Sequence, residues 1–217
     1  MYKPAMKRTL LLTLLVSIFP IVAYSQTVIA CPDANTQSKQ YRGDVKHRAE
    51  GEATGTSIGV SDMYALPNVS VATANAAKHS PMAGSAEKRT FTLTAFLWQA
   101  KVEGNDCEIH LELNDSRTNS AARRVIVEIP ADPDFKSDYQ TILRLMQDRF
   151  PNRHVLGPGV KFVFKPPIHM KLTGFGFFDG VHEAMARPGH PNGGHGSVTV
   201  KTFWELHPAW NVKVLTP

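Results

Sequence analysis

The sequence predicts a mainly β fold, a small OB-like Greek-key barrel with one helix after its third strand. Residues 89–129 contain three successive stretches in which apolar and polar residues alternate, the pattern of half-buried strands. One amphipathic helical stripe follows, and residues 160–215 return to strand-like patterns. Three strands, a helix and further strands is the order typical of a five-stranded OB barrel. A β-sandwich with an incidental helix is the alternative.

Each of the three strands before the helix is followed by turn or breaker residues. The first covers residues 89–102 and precedes Gly104-Asn105, a dipeptide typical of turns. In the second, residues 106–113, apolar and ionisable residues alternate, so one face is expected in the core and the other is ionisable. The third, residues 124–129, ends at Pro130, which has no N–H to donate to a strand ladder.

The helix has a start signal and a stop signal. Ser137 with Gln140 three residues later matches a capping box, and Pro151 follows the last apolar residue of the stripe. Further strands are predicted at residues 160–164, 169–178, 198–206 and 210–215.

Composition divides the chain into three parts. Residues 1–25 resemble a signal peptide, residues 26–88 form a low-complexity arm or linker, and residues 89–217 form the OB-like barrel domain. The arm contains only two aromatic residues, Tyr41 and Tyr64, whereas fourteen of the chain's nineteen aromatics lie from residue 89 onward. With so few large apolar side chains, the arm is expected to be flexible and to bury little core.

The first 25 residues have the features of a secretory signal. Basic residues precede the apolar run 10–22, and Ala23 and Ser25 are the small residues expected before a cleavage site at Gln26. A secreted or periplasmic protein is therefore expected, with lipoprotein processing at Cys31 as the alternative. No later apolar run approaches the ~20 residues that cross a bilayer, so no membrane span is expected in the mature chain.

The two cysteines, Cys31 and Cys107, form a possible disulfide in a secreted chain. Such a bond would close a loop of roughly 75 residues and stabilise the fold by about 4 kcal/mol. The alternative is two unpaired cysteines, with Cys107 packed as a small core residue.

Ionisable residues cluster at the faces and ends of the predicted strands. They are Asp106, Glu108, His110, Glu128, Asp179, Glu205 and His207. Carboxylates bind divalent cations, and imidazole transfers protons near neutral pH, so one metal or acid–base site is a hypothesis for the whole set. The alternative is that these are ordinary solvent-facing positions of amphipathic strands.

A weaker candidate set lies in the loop between the last strands. His182, His190 and His195 offer imidazole ligands for zinc or copper. Their spacing matches no closed structural zinc motif, and a solvated loop is the alternative.

Four motifs carry a resemblance to a group of bacterial proteins. They are DCEIHLEL (106–113), VEIP (127–130), GFFDGVH (176–182) and ELHP (205–208). Over about residues 90–215 the chain resembles uncharacterised, often secreted bacterial proteins that carry DxDxHLxL, VEIP, GFFDxxH and ELHP in this order. Glu108 stands where that group usually has Asp, and Cys107 where Gly is common. The group has no assigned activity to carry over.

The domain is also distantly similar to staphylococcal nuclease-like OB barrels. In those enzymes an acid pair on one strand and a later acid hold calcium, and an arginine neutralises a phosphate. The matching positions here are Asp106, Glu108 and Glu128 for the acids and Arg123 for the arginine. The resemblance implies cleavage of phosphodiesters, although the position of the general base falls near Ala131, which cannot accept a proton.

Three functions are consistent with these features. The first is a secreted OB-type domain that binds an oligosaccharide, a nucleic acid or another envelope ligand through its acidic and histidine-rich face. The second is a metal-dependent, nuclease-like hydrolase that uses the same face, with His110 or His207 as acid–base groups and Arg123 as charge stabiliser. The third is a structural envelope protein. The cation ligands of the hydrolase would be Asp106, Glu108, Glu128, Asp179 and Glu205.

Net charge bears on the partners. The formal charge of +5 includes three basic residues within the first ten, so the chain after residue 25 carries +2. This small balance does not support strong nucleic-acid binding. A monomer is expected.

Overall fold

The computed structural model describes residues 41–104, 106–151, 153, 159–180 and 199–215. The predicted signal peptide lies outside the described residues. The elements are α1 (Gly43–Lys46), β1 (Thr56–Ile58), α2 (Val60–Ala65), α3 (Val71–Ala76), the 3₁₀ turn Ala86–Lys88, β2 (Thr90–Val102), β3 (Ile109–Asn114), β4 (Arg124–Ile129), the 3₁₀ turn Pro133–Phe135, α4 (Lys136–Arg149), β5 (Lys161–Phe178) and β6 (Val200–Val214). Within this part of the chain, no helix is long and apolar enough to cross a membrane.

Five strands close into a mixed β-barrel, which confirms the predicted OB-like fold. β2 pairs with β3, β3 with β4, β4 with β6, β6 with β5, and β5 again with β2. The β4–β6 pair is parallel and the other four barrel pairs are antiparallel. α4 follows the third barrel strand, as the sequence predicts. Closure of the sheet on itself excludes the β-sandwich alternative.

Strand patterns predicted as separate pieces join into single long strands. The patterns 160–164 and 169–178 both belong to β5. Leu97 of β2 pairs with Ile168 and Gln99 with Val163, so residues 164–167 bulge out of the ladder. Two prolines lie in this bulge, because a bulged position needs no N–H donor. The last two patterns likewise join into β6.

The predicted capping box does not form. α4 begins at Lys136, and its N-cap residue is Phe135, whose side chain makes no capping hydrogen bond. The preceding 3₁₀ turn starts with Pro133, so the backbone is already helical when it reaches Ser137. As predicted, the helix ends before Pro151.

Helix α4 is fixed to the last barrel strand by one carboxylate. Asp138 accepts hydrogen bonds from the backbone N–H groups of Asn211 at 3.0 Å and Val212 at 2.7 Å. The apolar side of the helix packs into the core through Ile142 and Met146, both fully buried. The helix therefore belongs to the same core as the barrel.

Strand β3 confirms the predicted alternation but not the expected exposure. Ile109 and Leu111 lie in the apolar core. The intervening His110 and Glu112 are also buried, with 5% and 2% of their surface exposed. The ionisable face is therefore not solvent-facing, contrary to the interpretation of these positions as an ordinary amphipathic surface.

The described part of the arm, residues 41–88, packs against the barrel. This segment contributes apolar residues to the core cluster, including Met63, Ala74 and Met82. The sequence interpretation expected little burial here because aromatic residues are scarce. Instead, short helices and β1 place small aliphatic and methionine side chains against the barrel.

Arg42 and Glu87 form a buried ion pair that ties this segment to the barrel. Arg42 Nη1 lies 2.5 Å from Glu87 Oε1 and Nη2 lies 2.6 Å from Oε2, a bidentate geometry. Both side chains are fully buried. The carboxylate also accepts hydrogen bonds from the backbone N–H groups of Met82 and Phe178, at the end of β5. The pair therefore joins three separate parts of the chain.

We expect Arg42→Met to lower the free energy of unfolding by about 3–5 kcal/mol, since it leaves the Glu87 carboxylate buried without its partner. Urea unfolding measures the change. The double variant Arg42→Met/Glu87→Gln removes both charges and keeps an acceptor oxygen for one of the two N–H groups, so it should recover part of the loss. The exposed Arg144→Met is the matched control, with an expected change of about 0.5 kcal/mol or less. Equal losses for Arg42→Met and Arg144→Met would contradict the prediction.

Candidate functional site

Three neighbouring strands place His110, Glu128 and His207 side by side, on the face turned away from the apolar core. His110 of β3 is the register partner of Glu128 of β4. In the parallel β4–β6 pair, Val127 lies opposite Leu206, so the next residues along, Glu128 and His207, are neighbours. The strand pairing alone therefore produces a row in which a carboxylate lies between two imidazoles.

His207 lies between two carboxylates. Its Nε2 is 3.1 Å from Glu108 Oε1, and its Nδ1 is 2.8 Å from Glu128 Oε2. The other oxygen of Glu128 is 3.1 Å from His110 Nδ1. His207 and Glu108 are fully buried, and Glu128 is 7% exposed. Both ring nitrogens of His207 lie within ion-pair distance of carboxylate oxygens, although only Nε2 makes a hydrogen bond, so a positive charge on the ring suits this position.

Helix α1 brings a second cation to the same carboxylates. Lys46 Nζ lies 3.5 Å from Glu108 Oε2 and 3.6 Å from Glu128 Oε2. The ammonium is also 5.6 Å from the centre of the Phe177 ring, within the range of a cation–π contact. Lys46, Glu108, Glu128 and His207 together are called the buried ion cluster below.

The residue after Lys46 continues the network. His47 Nε2 is 3.3 Å from Glu108 Oε1, and His47 Nδ1 is 2.6 Å from Asp132 Oδ2. Two successive residues of the amino-terminal segment thus contact the acidic face of the barrel. This segment covers the face that the sequence analysis proposed as a ligand surface.

Charge pairing within the cluster opposes the effect of burial on each pKa. Burial raises the pKa of Glu108, but His207 and Lys46 outweigh it and hold the pKa below its usual value. The pKa of Glu128 is held well below its usual value against burial, chiefly by Lys46, with further contributions from the hydrogen bond to His110 and from the nearby His207 ring.

The pKa values of the two cations, Lys46 and His207, are both raised. Burial lowers the pKa of His207, but Glu108 raises it more, to about 9. Burial likewise lowers the pKa of Lys46, while Glu108 and Glu128 raise it well above its usual value. At neutral pH the cluster therefore holds two carboxylates and two cations, and its net charge is zero.

Two further acids of the predicted set have raised pKa values, in contrast to Glu108 and Glu128. Burial first, and Glu128 second, raise the pKa of Glu205 well above its usual value. Burial and the charge of Glu108 raise the pKa of Asp106 to about 6. The local environment thus disfavours a third negative charge once the two cations are paired.

The structure brings together four of the residues that the sequence singled out, Glu108, His110, Glu128 and His207. Asp179 and Glu205 are buried and raise the pKa of Lys46, so they lie in the same electrostatic environment. Asp106 Oδ1 accepts a hydrogen bond from the Glu108 N–H at 3.2 Å in the turn before β3.

Arg123 is not part of this site. It is exposed, and its guanidinium carbon lies 5.2 Å from the centre of the Tyr64 ring. The positive charge beside the carboxylates comes from Lys46 instead. Cys107 is not a free thiol, and its expected partner Cys31 lies outside the described residues, so the pairing stays a prediction. The three loop histidines, His182, His190 and His195, also lie outside the described residues.

Sequence reasoning missed Lys46 and His47. Both lie in a segment with few aromatics and no sustained periodicity, where charged residues are usually solvated. The one available signal was the density of basic and histidine side chains in residues 42–48 (RGDVKHR), four among seven positions. That density did not indicate a partner, because the acids lie more than 50 residues away in the sequence.

Among the residues that the structure describes, two groups of side chains have the composition of a metal site. Glu108, Glu128 and His207 each offer one ligand atom, and these atoms lie within 4.8 Å of one another. Glu103, His110 and Glu128 form a second such group, which shares Glu128 with the first. Mixed carboxylate and imidazole ligands suit first-row divalent metals.

Comparisons with known proteins return no relative: the chain matches no protein family, no curated protein and no solved structure.

The pKa of His207 predicts how stability depends on pH. Below its ordinary pKa of 6.5 both folded and unfolded chains are protonated, and the stabilisation is complete. As pH rises from there through about 9, the unfolded chain loses its proton first and stability falls, by on the order of 3 kcal/mol. His207→Gln should remove most of this decline between pH 6 and 9.5, measured by urea unfolding at a series of pH values.

The exposed histidine His79, with a side chain 74% exposed, provides the matched control. His79→Gln should keep the wild-type decline. If His207→Gln and His79→Gln show the same pH dependence as the wild type, His207 does not hold its proton in the folded chain.

Proposed function

We propose that this chain is a secreted OB-type binding domain that recognises an acidic oligosaccharide at a cavity on strands β2, β5 and β6. OB barrels are suited to oligosaccharide and oligonucleotide binding. The proposal rests on one observation: two stacked rings and two prolines lie beside two arginines in one cavity. None of these residues belongs to the buried ion cluster. Lys46 and His47 contact the acidic face itself, and the charges of Glu108 and Glu128 are paired within the chain.

The cavity has a volume of about 260 Å³ and combines apolar and cationic side chains. Its lining consists of Phe96, Arg117, Arg149, Pro166, Pro167, Ile168, His169, Val214 and Leu215. A mostly apolar lining with a few polar groups that converge is typical of small-ligand sites.

A stacked pair of rings forms one wall of this cavity. Phe96 and His169 are register partners across β2 and β5, and their ring centres lie 4.6 Å apart at an angle of 21°. Pro166 and Pro167, in the bulge of β5, also line the cavity. Rings and prolines present flat apolar surfaces, against which the C–H face of a sugar packs. Val214, 46% exposed, extends the apolar surface to the rim.

Two guanidinium groups come from different elements. Arg117 lies in the loop after β3, and Arg149 is the last residue of α4. In the described ranges no acidic side chain forms an ion pair with either of them. A guanidinium binds a carboxylate in a bidentate manner, so the pair favours an anionic ligand.

An acidic oligosaccharide fits this chemistry better than a nucleic acid. Binding of single-stranded nucleic acid uses successive aromatic platforms along an extended basic groove. Here the cavity has one ring pair whose members already stack on each other, and the chain after residue 25 has a net charge of only +2. A uronic acid residue would use the apolar wall and both arginines.

A second function, metal-dependent hydrolysis, is supported by the ligand set Glu108, Glu128 and His207. We place it second because Lys46 lies against the same carboxylates and the groups are buried. A cation would have to replace the Lys46 ammonium before any substrate contacts the site.

Binding of hexagalacturonate, a uronic acid oligosaccharide, tests the proposal by titration calorimetry. Arg149→Gln and Arg117→Gln should each weaken binding about tenfold, the effect of losing one charge-assisted interaction. Arg144→Gln changes an exposed arginine of the same helix outside the cavity and should bind as the wild type. Neutral maltohexaose should bind at least tenfold more weakly. Tighter binding of a single-stranded oligonucleotide, or equal effects of Arg149→Gln and Arg144→Gln, would overturn the assignment.

Export is part of the same proposal, supported by the apolar run 10–22 and the small residues before Gln26. The full-length chain, expressed in a bacterium, should appear outside the cytoplasm with an intact mass that corresponds to a start at Gln26. Mass spectrometry of the recovered protein measures this. A lipid-modified chain that starts at Cys31, or an uncleaved chain in the cytoplasm, would contradict the prediction.

A further inference from the structure

The Lys46 ammonium occupies a position that a metal ion commonly takes between two carboxylates. Its Nζ is nearly equidistant from Glu108 Oε2 and Glu128 Oε2, at 3.5 and 3.6 Å. Glu108 Oε2 is buried and makes no hydrogen bond in the described structure, so its neighbour there is the ammonium alone at an ion-pair distance. The side chain of Lys46 is 11% exposed, which places the charge away from bulk water.

The donors around this position suit a divalent ion. One atom each from Glu108, Glu128 and His207 lies within 4.8 Å of the others. At this spacing, small side-chain movements allow all three atoms to bind one ion. The donors come from β4, β6 and the turn before β3, so the closed barrel holds them in place. Three protein ligands with further positions for water is a common arrangement for catalytic and exchangeable metal sites.

Either cation can satisfy the two carboxylates. Both are buried, so they need positive charge beside them. A divalent ion held between Glu108 and Glu128 supplies that charge when the Lys46 ammonium leaves.

We propose that Glu108, Glu128 and His207 form a divalent-cation site that prefers first-row ions such as Mn²⁺ to Ca²⁺ and that Lys46 fills as a tethered cation. Carboxylate oxygens with one imidazole suit Mn²⁺, whereas Ca²⁺ takes six to eight oxygens and the site offers fewer. The proposal concerns the ion cluster and does not depend on the sugar-binding cavity.

The wild-type chain keeps the site filled because the lysine is anchored. Helix α1 carries Lys46, and Val45 beside it is fully buried. The Arg42–Glu87 pair fixes the start of the same helix. A free cation must therefore compete with an ammonium that is held in place by its own chain, which weakens metal binding without changing the ligands.

The test removes the tethered cation and keeps the ligands. Full-length chains carrying Lys46→Met, Lys46→Met/Glu128→Gln or the control Lys88→Met are titrated with Mn²⁺, and bound ion is counted by electron paramagnetic resonance. Lys88 is an exposed lysine on the same segment. We expect Lys46→Met to bind one Mn²⁺ at least tenfold more tightly than the wild type and Lys88→Met, and to prefer Mn²⁺ to Ca²⁺. Adding Glu128→Gln should remove the gain.

Two results would overturn the proposal. One is equal Mn²⁺ affinity in Lys46→Met and Lys88→Met. The other is unchanged affinity after addition of Glu128→Gln, which places the ion elsewhere. If Lys46→Met does not fold without metal, it is refolded by dilution with Mn²⁺ or Ca²⁺ and its thermal unfolding is recorded. Recovery of a cooperative transition with Mn²⁺ supports the site, and no recovery with either ion counts against it.

Discussion

Two carboxylates away from water, Glu108 and Glu128, are the constraint on which the rest of this structure depends. Each would cost several kcal/mol to bury alone, so the fold must supply positive charge at the same place. The barrel supplies one cation, His207 of its last strand, and the amino-terminal segment supplies the other, Lys46. The segment therefore does more than pack against the barrel: it also brings a positive charge to the two glutamates, and the Arg42–Glu87 pair fixes the start of the helix that carries it.

The sequence was sufficient for the barrel because its signals are local. Alternation in residues 106–113, the helical stripe ending at Pro151 and the order of the elements each depend on neighbouring positions, and the observed strands and α4 agree with them. The same alternation separated Ile109 and Leu111 from Glu108 and His110 correctly. The sequence also predicted that His110, Glu128 and His207 could lie close together, and they do, because β3, β4 and β6 are neighbours in this barrel.

What the sequence did not reveal is what lies over each face. A strand pattern indicates that His110 and Glu112 lie on the same side of the strand, but not that both side chains are buried. Lys46 and His47 have no periodic context, and Arg123 matched a distant pattern while the structure places it beside Tyr64. The sugar-binding proposal has the same origin: Phe96 and His169 are ordinary strand residues until the register of β2 and β5 stacks their rings.

The parallel pairing of β4 with β6 has a consequence for the order of assembly. β4 finds its second neighbour only in the last strand of the chain, after α4 and β5. During synthesis the barrel thus has an open edge until β6 leaves the ribosome, and non-local closure of this kind is slow. Until then His207 is not available to pair with Glu108 and Glu128. The barrel of a nascent chain therefore cannot close before β6 has been made.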